Sequence, residues 1–133
     1  MTQPEIQECN KQIALMLGWK EHKLENNWFW GKKEMTYYKG FDKVNWSTPR
    51  VYIKYFKFHS NWNWLMEAVE FIEKLGYESL LGGSEYYYPE KGMRYIKSFI
   101  KDDINIFQES KDKKEATFIA VSDFAKLYNN KEL

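Results

Sequence analysis

The sequence predicts one α+β domain over residues 1–133, in which helices cover at least one face of an antiparallel sheet. Three amphipathic helical patterns alternate with segments that favour strands, so the predicted order is helix, strands, helix, strands, helix. The length of 133 residues is typical of a single domain. With 44% hydrophobic and 29% charged residues, the composition is that of a folded globular protein and not of a disordered tail.

The first helix is predicted from its start and stop signals. Thr2-Gln3-Pro4-Glu5 has the spacing of a capping box, in which the Thr hydroxyl accepts a hydrogen bond from a free backbone N–H. Apolar residues then recur at helical spacing from Ile6 up to Gly18, which supplies the stop. The helix should therefore bury one face, and the only cysteine, Cys9, fits there as a structural thiol.

Short strands are predicted after this helix. Residues 19–49 contain aromatic pairs separated by Gly31, Gly40 and polar clusters, a pattern that favours loops and short strands over a helix. In residues 50–58, β-branched and aromatic side chains alternate. That segment is predicted to be a strand with one apolar face and one mixed aromatic and basic face.

The second helix is predicted to begin at a cap formed by Ser60 or Asn61. Its apolar residues follow a 3.6-residue period from Trp62 to Leu75, and Gly76 ends it. This is the most regular helical pattern in the chain.

A hairpin and a third helix complete the prediction. Gly82-Gly83-Ser84 reads as a turn, and residues 93–100 and 104–108 are predicted strands joined around Lys101-Asp102-Asp103. Residues 110–114 form a charged turn in this interpretation. The apolar residues from 116 to 127 then define the last amphipathic helix.

Residues 28–62, here called the aromatic–basic segment, are the unusual part of the chain. They hold seven basic residues, two acidic residues and twelve of the 25 aromatic residues, whereas the net charge of the whole chain is only +1. Aromatic rings interleaved with cations are the combination that stacks on bases and neutralises phosphates. An anion bearing a ring is therefore the ligand class that this segment predicts.

The predicted ligand-binding residues are rings for stacking and cations for phosphates. They are Trp28, Trp30, Lys32, Lys33, Tyr37, Tyr38, Arg50, Lys54 and Arg94. An alternative interpretation is a sheet whose rings pack under the helices and whose lysines protect an edge strand. The sequence favours neither interpretation over the other.

Signals for catalysis and metal binding are weak. His22, His59 and Cys9 are widely separated, unlike the clustered ligands of a zinc site, and no Gly-x-Ser-x-Gly elbow is present. We therefore predict no enzyme, no cofactor and no metal. His59 precedes a helix start, which favours a capping or hydrogen-bonding role, although a deep pocket in which it faced a carboxylate would favour an enzyme.

Two segments and the end of the first helix carry a resemblance to a known family. The first segment runs from residues 58–66 into Ala68-Val69-Glu70. The second runs from Glu115-Ala116-Thr117 through Ala120-Val121 and Asp123-Phe124 to Tyr128-Asn129. The first helix ends in Leu17-Gly18-Trp19. They resemble small, mostly uncharacterised phage and prophage proteins of the phage ABA sandwich type. The resemblance implies an α/β/α sandwich, that is, three layers in the order helix, sheet and helix. Some small phage proteins of this size are sponges that sequester nucleotide signals of bacterial immunity, often as homo-oligomers.

The predicted function is that of a non-enzymatic, phage-type sponge for a small phosphate-bearing nucleotide, such as a cyclic oligonucleotide or a cyclic ADP-ribose derivative. One alternative is a protein–protein interaction module that inhibits a host protein. Another is a single-stranded nucleic-acid binder, which the near-neutral charge disfavours. No signal peptide or membrane span is predicted, so a cytoplasmic location is expected, in the host cell if the protein is phage-encoded. The resemblance implies a homo-oligomer.

Overall fold

The computed structural model describes five ranges of the chain, and it gives only the backbone for residues 21–24, 27–31, 50 and 51. The ranges are residues 1–24, 27–31, 50–51, 56–83 and 94–133. Within them, three helices and six strands follow one another. They are α1 (Gln3–Met16), β1 (Lys20–Leu24), β2 (Asn27–Gly31), β3 (Arg50–Val51), α2 (Trp62–Lys74), β4 (Glu78–Gly83), β5 (Tyr95–Lys101), β6 (Ile104–Ser110) and α3 (Lys113–Asn129).

The strands form two antiparallel sheets, one in the order β1-β2-β3 and the other in the order β4-β5-β6. In the first sheet, Gly31 of β2 lies opposite Lys20 of β1 and Arg50 of β3. In the second, β5 and β6 form the predicted hairpin around Asp102-Asp103, where Asp102 takes a φ of 54°. The predicted antiparallel arrangement is confirmed.

Polar caps fix the starts of the helices. The Thr2 hydroxyl accepts from the Glu5 N–H at 3.3 Å, which forms the predicted capping box of α1. Asn61 caps α2, and the Asp112 carboxylate caps α3 by accepting from two backbone N–H groups. The predicted charged turn at residues 110–114 is therefore shorter than expected, because the cap at Asp112 starts α3 at Lys113.

All three helices contribute to one core. Ile13 of α1, Leu65 of α2 and Phe124 of α3 are fully buried in the same cluster as Phe99 of β5. The ring of Phe124 lies 4.8 Å from that of Tyr77, in an edge-on geometry. Burial of these side chains, each contributing about 1.5–3 kcal/mol, joins the helices to one face of the second sheet.

The two ends of the described chain meet in the helical layer, because α1 packs along α3. The side-chain amide of Asn129 donates to the Gln12 carbonyl at 2.9 Å and to the Gln12 side-chain oxygen at 3.0 Å. These bonds link residues that are 117 positions apart in sequence.

The predicted class, element order and packing of helices on an antiparallel sheet are confirmed, and within the described residues the helices lie on one face of the second sheet. Phe99 and its β6 partner Ile106 face the core with the helices. Residues one position along each strand point to the opposite face, where Leu80 is 46% exposed and Phe107 is 59% exposed. Among the described residues, no second helical layer covers that face.

Two local predictions were wrong. Residues 50–58 were expected to form one strand, yet of the described part only Arg50–Val51 is strand, and the Lys57 carbonyl accepts two backbone bonds in a turn. Phe56 and Phe58 are 1% exposed because they pack against other rings of the core. Gly82 and Gly83 were expected in a turn but belong to β4, because their backbones pair with β5. Ser84 lies outside the described residues.

Candidate functional site

Part of the aromatic–basic segment forms the first sheet. Trp28 and Trp30 lie in β2, and Arg50 lies in β3, where the backbone pairs Trp30 with Val51 and Gly31 with Arg50. The pairing brings two tryptophan positions and one arginine position of the predicted set onto adjacent strands, although about twenty residues separate them in sequence. The register places Trp28 and Trp30 on the sheet face of Val51 and Arg50 on the other face. The predicted residues Lys32, Lys33, Tyr37, Tyr38 and Lys54 lie outside the described residues.

Arg94, the last residue of the predicted set, lies next to the start of β5. Its guanidinium Nε donates to the carboxylate of Glu109 on β6, and both side chains are only partly exposed. The two strands are paired at this point, with Tyr95 opposite Ser110. The contact assigns Arg94 a structural ion pair across the hairpin, in addition to any role towards a ligand.

A cavity of about 340 Å³ lies elsewhere, between the N-terminal ends of α1 and α3 and the turn that precedes α2. Its wall combines ionisable, polar and apolar side chains. It is lined by Met1, Ile6, His59, Ser60, Asp112, Lys114, Glu115 and Phe118. Pockets of this volume are at the small end of the range that holds small-molecule ligands.

Asn10 holds the imidazole of His59 in one orientation. Asn10 is 2% exposed, and its Nδ2 lies 3.0 Å from His59 Nδ1 and 3.4 Å from the Phe56 carbonyl oxygen. A carbonyl oxygen only accepts, so the amide NH₂ group faces it, and the same group then donates to Nδ1. His59 Nδ1 must therefore carry a lone pair, which places the proton of the neutral ring on Nε2.

The surroundings keep His59 neutral. Burial lowers the pKa of His59 below the usual 6.5, and the nearby positive charge of Lys114 lowers it further. The Lys114 amine is itself held beside the ring, because it donates to the Ser60 carbonyl at 3.1 Å. At neutral pH, His59 therefore presents an N–H donor at Nε2, on the side of the ring away from Asn10.

The predicted hydrogen-bonding role of His59 is thus observed, with an amide as its partner. Among the described residues, no hydrogen bond joins His59 to a carboxylate. Asp112 lines the same cavity, but its Oδ1 accepts the N–H groups of Lys114 and Glu115 at 2.7 and 3.0 Å. An imidazole with its proton on Nε2 and its Nδ1 lone pair bonded to Asn10 can donate from Nε2 and has no free lone pair in this state.

Asn10 is the residue that the sequence analysis missed. It lies on the buried face of α1, between the apolar positions Ile6 and Ile13 at helical spacing. A polar amide on such a face needs a buried partner, and this mismatch is a signal in the sequence. Its partner His59, 49 residues away, has no such signal.

A second buried polar group is Lys97 of β5. It is 6% exposed, its amine donates to the Ser79 hydroxyl at 2.5 Å, and it lies 5.2 Å from the centre of the Phe99 ring. Burial lowers the pKa of Lys97, and the carboxylate of Glu73 partly offsets this effect. The amine thus lies on the inner face of the sheet, beside Phe99.

In the described ranges, no cluster of three or more His, Cys, Asp or Glu side chains is placed to hold a metal ion. None of the described helices combines the length and the apolar character that crossing a bilayer requires. No protein-family model, no curated protein and no solved structure matches the chain. Its own residues are therefore the basis for assigning a function.

Proposed function

We propose that this chain is a non-enzymatic binding protein that sequesters a small phosphate-bearing nucleotide through the aromatic–basic segment. The observation that supports it is the pairing of β2 with β3, in which Arg50 lies opposite Gly31 and so shares a sheet face with the ring position Phe29. A ring-bearing anion needs an aromatic platform and a cation within one ligand's reach. Each sheltered charged contact to a phosphate contributes on the order of 1.5–3 kcal/mol.

The proposal extends to the biological setting that the sequence resemblance implies. The protein would be a phage-type anti-defence sponge that acts in the cytoplasm of the host cell as a homo-oligomer. Its ligand would be a nucleotide signal of bacterial immunity, such as a cyclic oligonucleotide or a cyclic ADP-ribose derivative. Sedimentation of the purified protein at several concentrations tests the homo-oligomer, and a monomer at all of them would contradict this part.

Calorimetry with a panel of cyclic dinucleotides, cyclic trinucleotides and cyclic ADP-ribose isomers tests the proposal. We expect one ligand class to bind stoichiometrically and to be released unchanged by heat, as judged by mass spectrometry. Absence of binding across the panel would contradict the proposal, and so would release of a cleaved product. A host protein that instead co-purifies stoichiometrically at high salt would favour an inhibitor of that protein.

Variants locate the ligand. Joint replacement of Lys32 and Lys33 by alanine should weaken binding at least tenfold, because two phosphate contacts are lost. The matched control is the joint replacement of Lys111 and Lys131 by alanine, which removes the same charge from two exposed positions outside the segment. Equal weakening by both pairs would indicate a general charge effect and not a site in the segment.

A further inference from the structure

We propose that the cavity beside His59, near the end of the aromatic–basic segment, is a second binding site, and that its ligand is a small zwitterion of the size of a free amino acid. The ligand's carboxylate would accept from His59 Nε2–H and from the Lys114 amine. Its ammonium group would face the carboxylates of Asp112 and Glu115. The argument depends on the composition of the cavity wall and on the fixed state of the imidazole.

The donor side of the cavity is preorganised. The Asn10 amide sets the ring orientation and the tautomer of His59, so Nε2–H is a donor before any ligand arrives. The Lys114 amine uses one of its three N–H groups on the Ser60 carbonyl, which fixes it at the wall of the cavity. Two donors held in place lower the ordering cost of binding a carboxylate.

The charges of the wall disfavour a simple anion. Among the described lining residues, Lys114 and the Met1 amino group are positive, Asp112 and Glu115 are negative, and neutral His59 adds no charge, so the two signs balance. A phosphate or a nucleotide would meet two carboxylates in addition to the two cations. A zwitterion satisfies both signs of charge at once.

The size and the apolar wall narrow the ligand further. The volume of about 340 Å³ accommodates a molecule of amino-acid size more readily than a dinucleotide. Ile6 and the buried ring of Phe118 supply the apolar part of the lining, and the Phe118 ring lies 6.0 Å from that of His59. An apolar side chain on the ligand would pack there, so we expect amino acids such as leucine or methionine to bind in preference to charged ones.

The structural context of Asn10 agrees with a site built for binding. Its Oδ1 is buried and has no hydrogen-bond partner among the described residues. Such an orphan acceptor lowers stability by about 1–3 kcal/mol. The amide is kept in this unfavourable place, and its observed effect is to orient His59.

Calorimetry at pH 7.5 with each of the common free amino acids tests the proposal. We expect apolar amino acids to bind, and we expect the corresponding amine without a carboxylate and the corresponding acid without an amine to bind at least tenfold more weakly. Failure of every amino acid to bind at millimolar concentration would overturn the proposal. Equal binding of the amine alone, or of inorganic phosphate, would also overturn it.

Variants of the wall separate this site from the nucleotide site. Lys114→Met and Glu115→Gln should each weaken amino-acid binding at least tenfold, whereas Lys126→Met, in the last turn of α3, should leave it unchanged. Circular dichroism checks that each variant folds. Binding that is unaffected in both Lys114→Met and Glu115→Gln would place the ligand elsewhere and contradict the proposal.

Nitrogen NMR of the imidazole gives a readout that a purely structural His59 would not change. We expect the free protein to show the proton on Nε2 and the bound amino acid to shift the Nε2 signal far more than the Nδ1 signal. Addition of a nucleotide from the panel should leave both signals unchanged, so failure at one site is distinguishable from failure at the other. A proton found on Nδ1 in the free protein would refute the donor arrangement.

Discussion

Asn10 and His59 form a buried amide–imidazole contact of 3.0 Å that ties α1 to the turn before α2. The contact is polar, yet it lies against the core, since Phe118 packs edge-on against the imidazole and is 2% exposed. It therefore affects both the stability of the fold and the orientation of the imidazole in the cavity wall.

Asn10→Ala should lower the free energy of unfolding by about 1–3 kcal/mol. The variant leaves the Phe56 carbonyl and His59 Nδ1 without their shared donor, and it opens a void beside the core. Urea unfolding followed by tryptophan fluorescence measures the change. Gln7→Ala, on the same helix, is the control and should change stability by less than about 0.5 kcal/mol. Equal effects of the two variants would mean that the amide contact contributes little.

The lowered pKa of His59 should make stability depend on pH. The folded state resists protonation, whereas the unfolded chain binds a proton near the ordinary pKa of 6.5. The contribution of His59 is therefore fully present above pH 6.5 and is lost as the pH falls below that value towards the folded-state pKa. Unfolding curves at pH 7.5 and pH 5 should differ more in the native protein than in His59→Gln, whose side chain also accepts from Asn10. An identical difference in both proteins would contradict this assignment.

Lys97→Met should raise the free energy of unfolding at pH 7 by about 1 kcal/mol. The amine is charged in water, and its burial against Phe99 carries a desolvation cost that one hydroxyl partner offsets only in part. Methionine fills a similar volume without that cost. Thermal unfolding measures the shift, with Lys111→Met as an exposed control. A loss of stability in Lys97→Met alone would show that the bond to Ser79 outweighs burial.

Gly18→Ala and Gly76→Ala should each destabilise the fold by about 1–2 kcal/mol, because both glycines have positive φ values of 90° and 97°. The pair also tests a side-chain contact. A methyl group on Gly18 meets nothing within 4 Å, whereas one on Gly76 lies 3.5 Å from the Lys101 amine, which donates to the Leu75 carbonyl. Chemical unfolding should show losses of similar size for the two variants, because 3.5 Å is an ordinary van der Waals distance, and a much larger loss for Gly76→Ala would show that the added methyl displaces the Lys101 amine.

Local signals in the sequence were enough to predict the helices and one hairpin. The caps at Thr2 and Asn61 and the stop at Gly76 act within a few residues, so each can be read from a short window. β4 could not be read in this way, because Gly82 and Gly83 have low strand propensity and are held only by pairing with Ile96 and Tyr95. Tertiary contacts therefore determine that β4 is a strand.

The same distinction applies to the candidate sites. The aromatic–basic segment was visible as composition, but the adjacency of β2 and β3 depends on a pairing of strands that are distant in sequence. The cavity was not visible at all, because residues near positions 6, 59 and 115 meet only after α1 and α3 pack together. Periodicity locates the buried face of a helix and does not identify which helix covers it.

The bonds from Asn129 to Gln12 have a consequence for how the protein is made. Because α1 packs against α3, α1 lacks this helical partner until α3 has been synthesised. The part of its apolar stripe that α3 covers stays open to chaperones and to other nascent chains until then. Translation that stops before Lys113 would leave α1 without that partner, and such a fragment should be cleared by proteases.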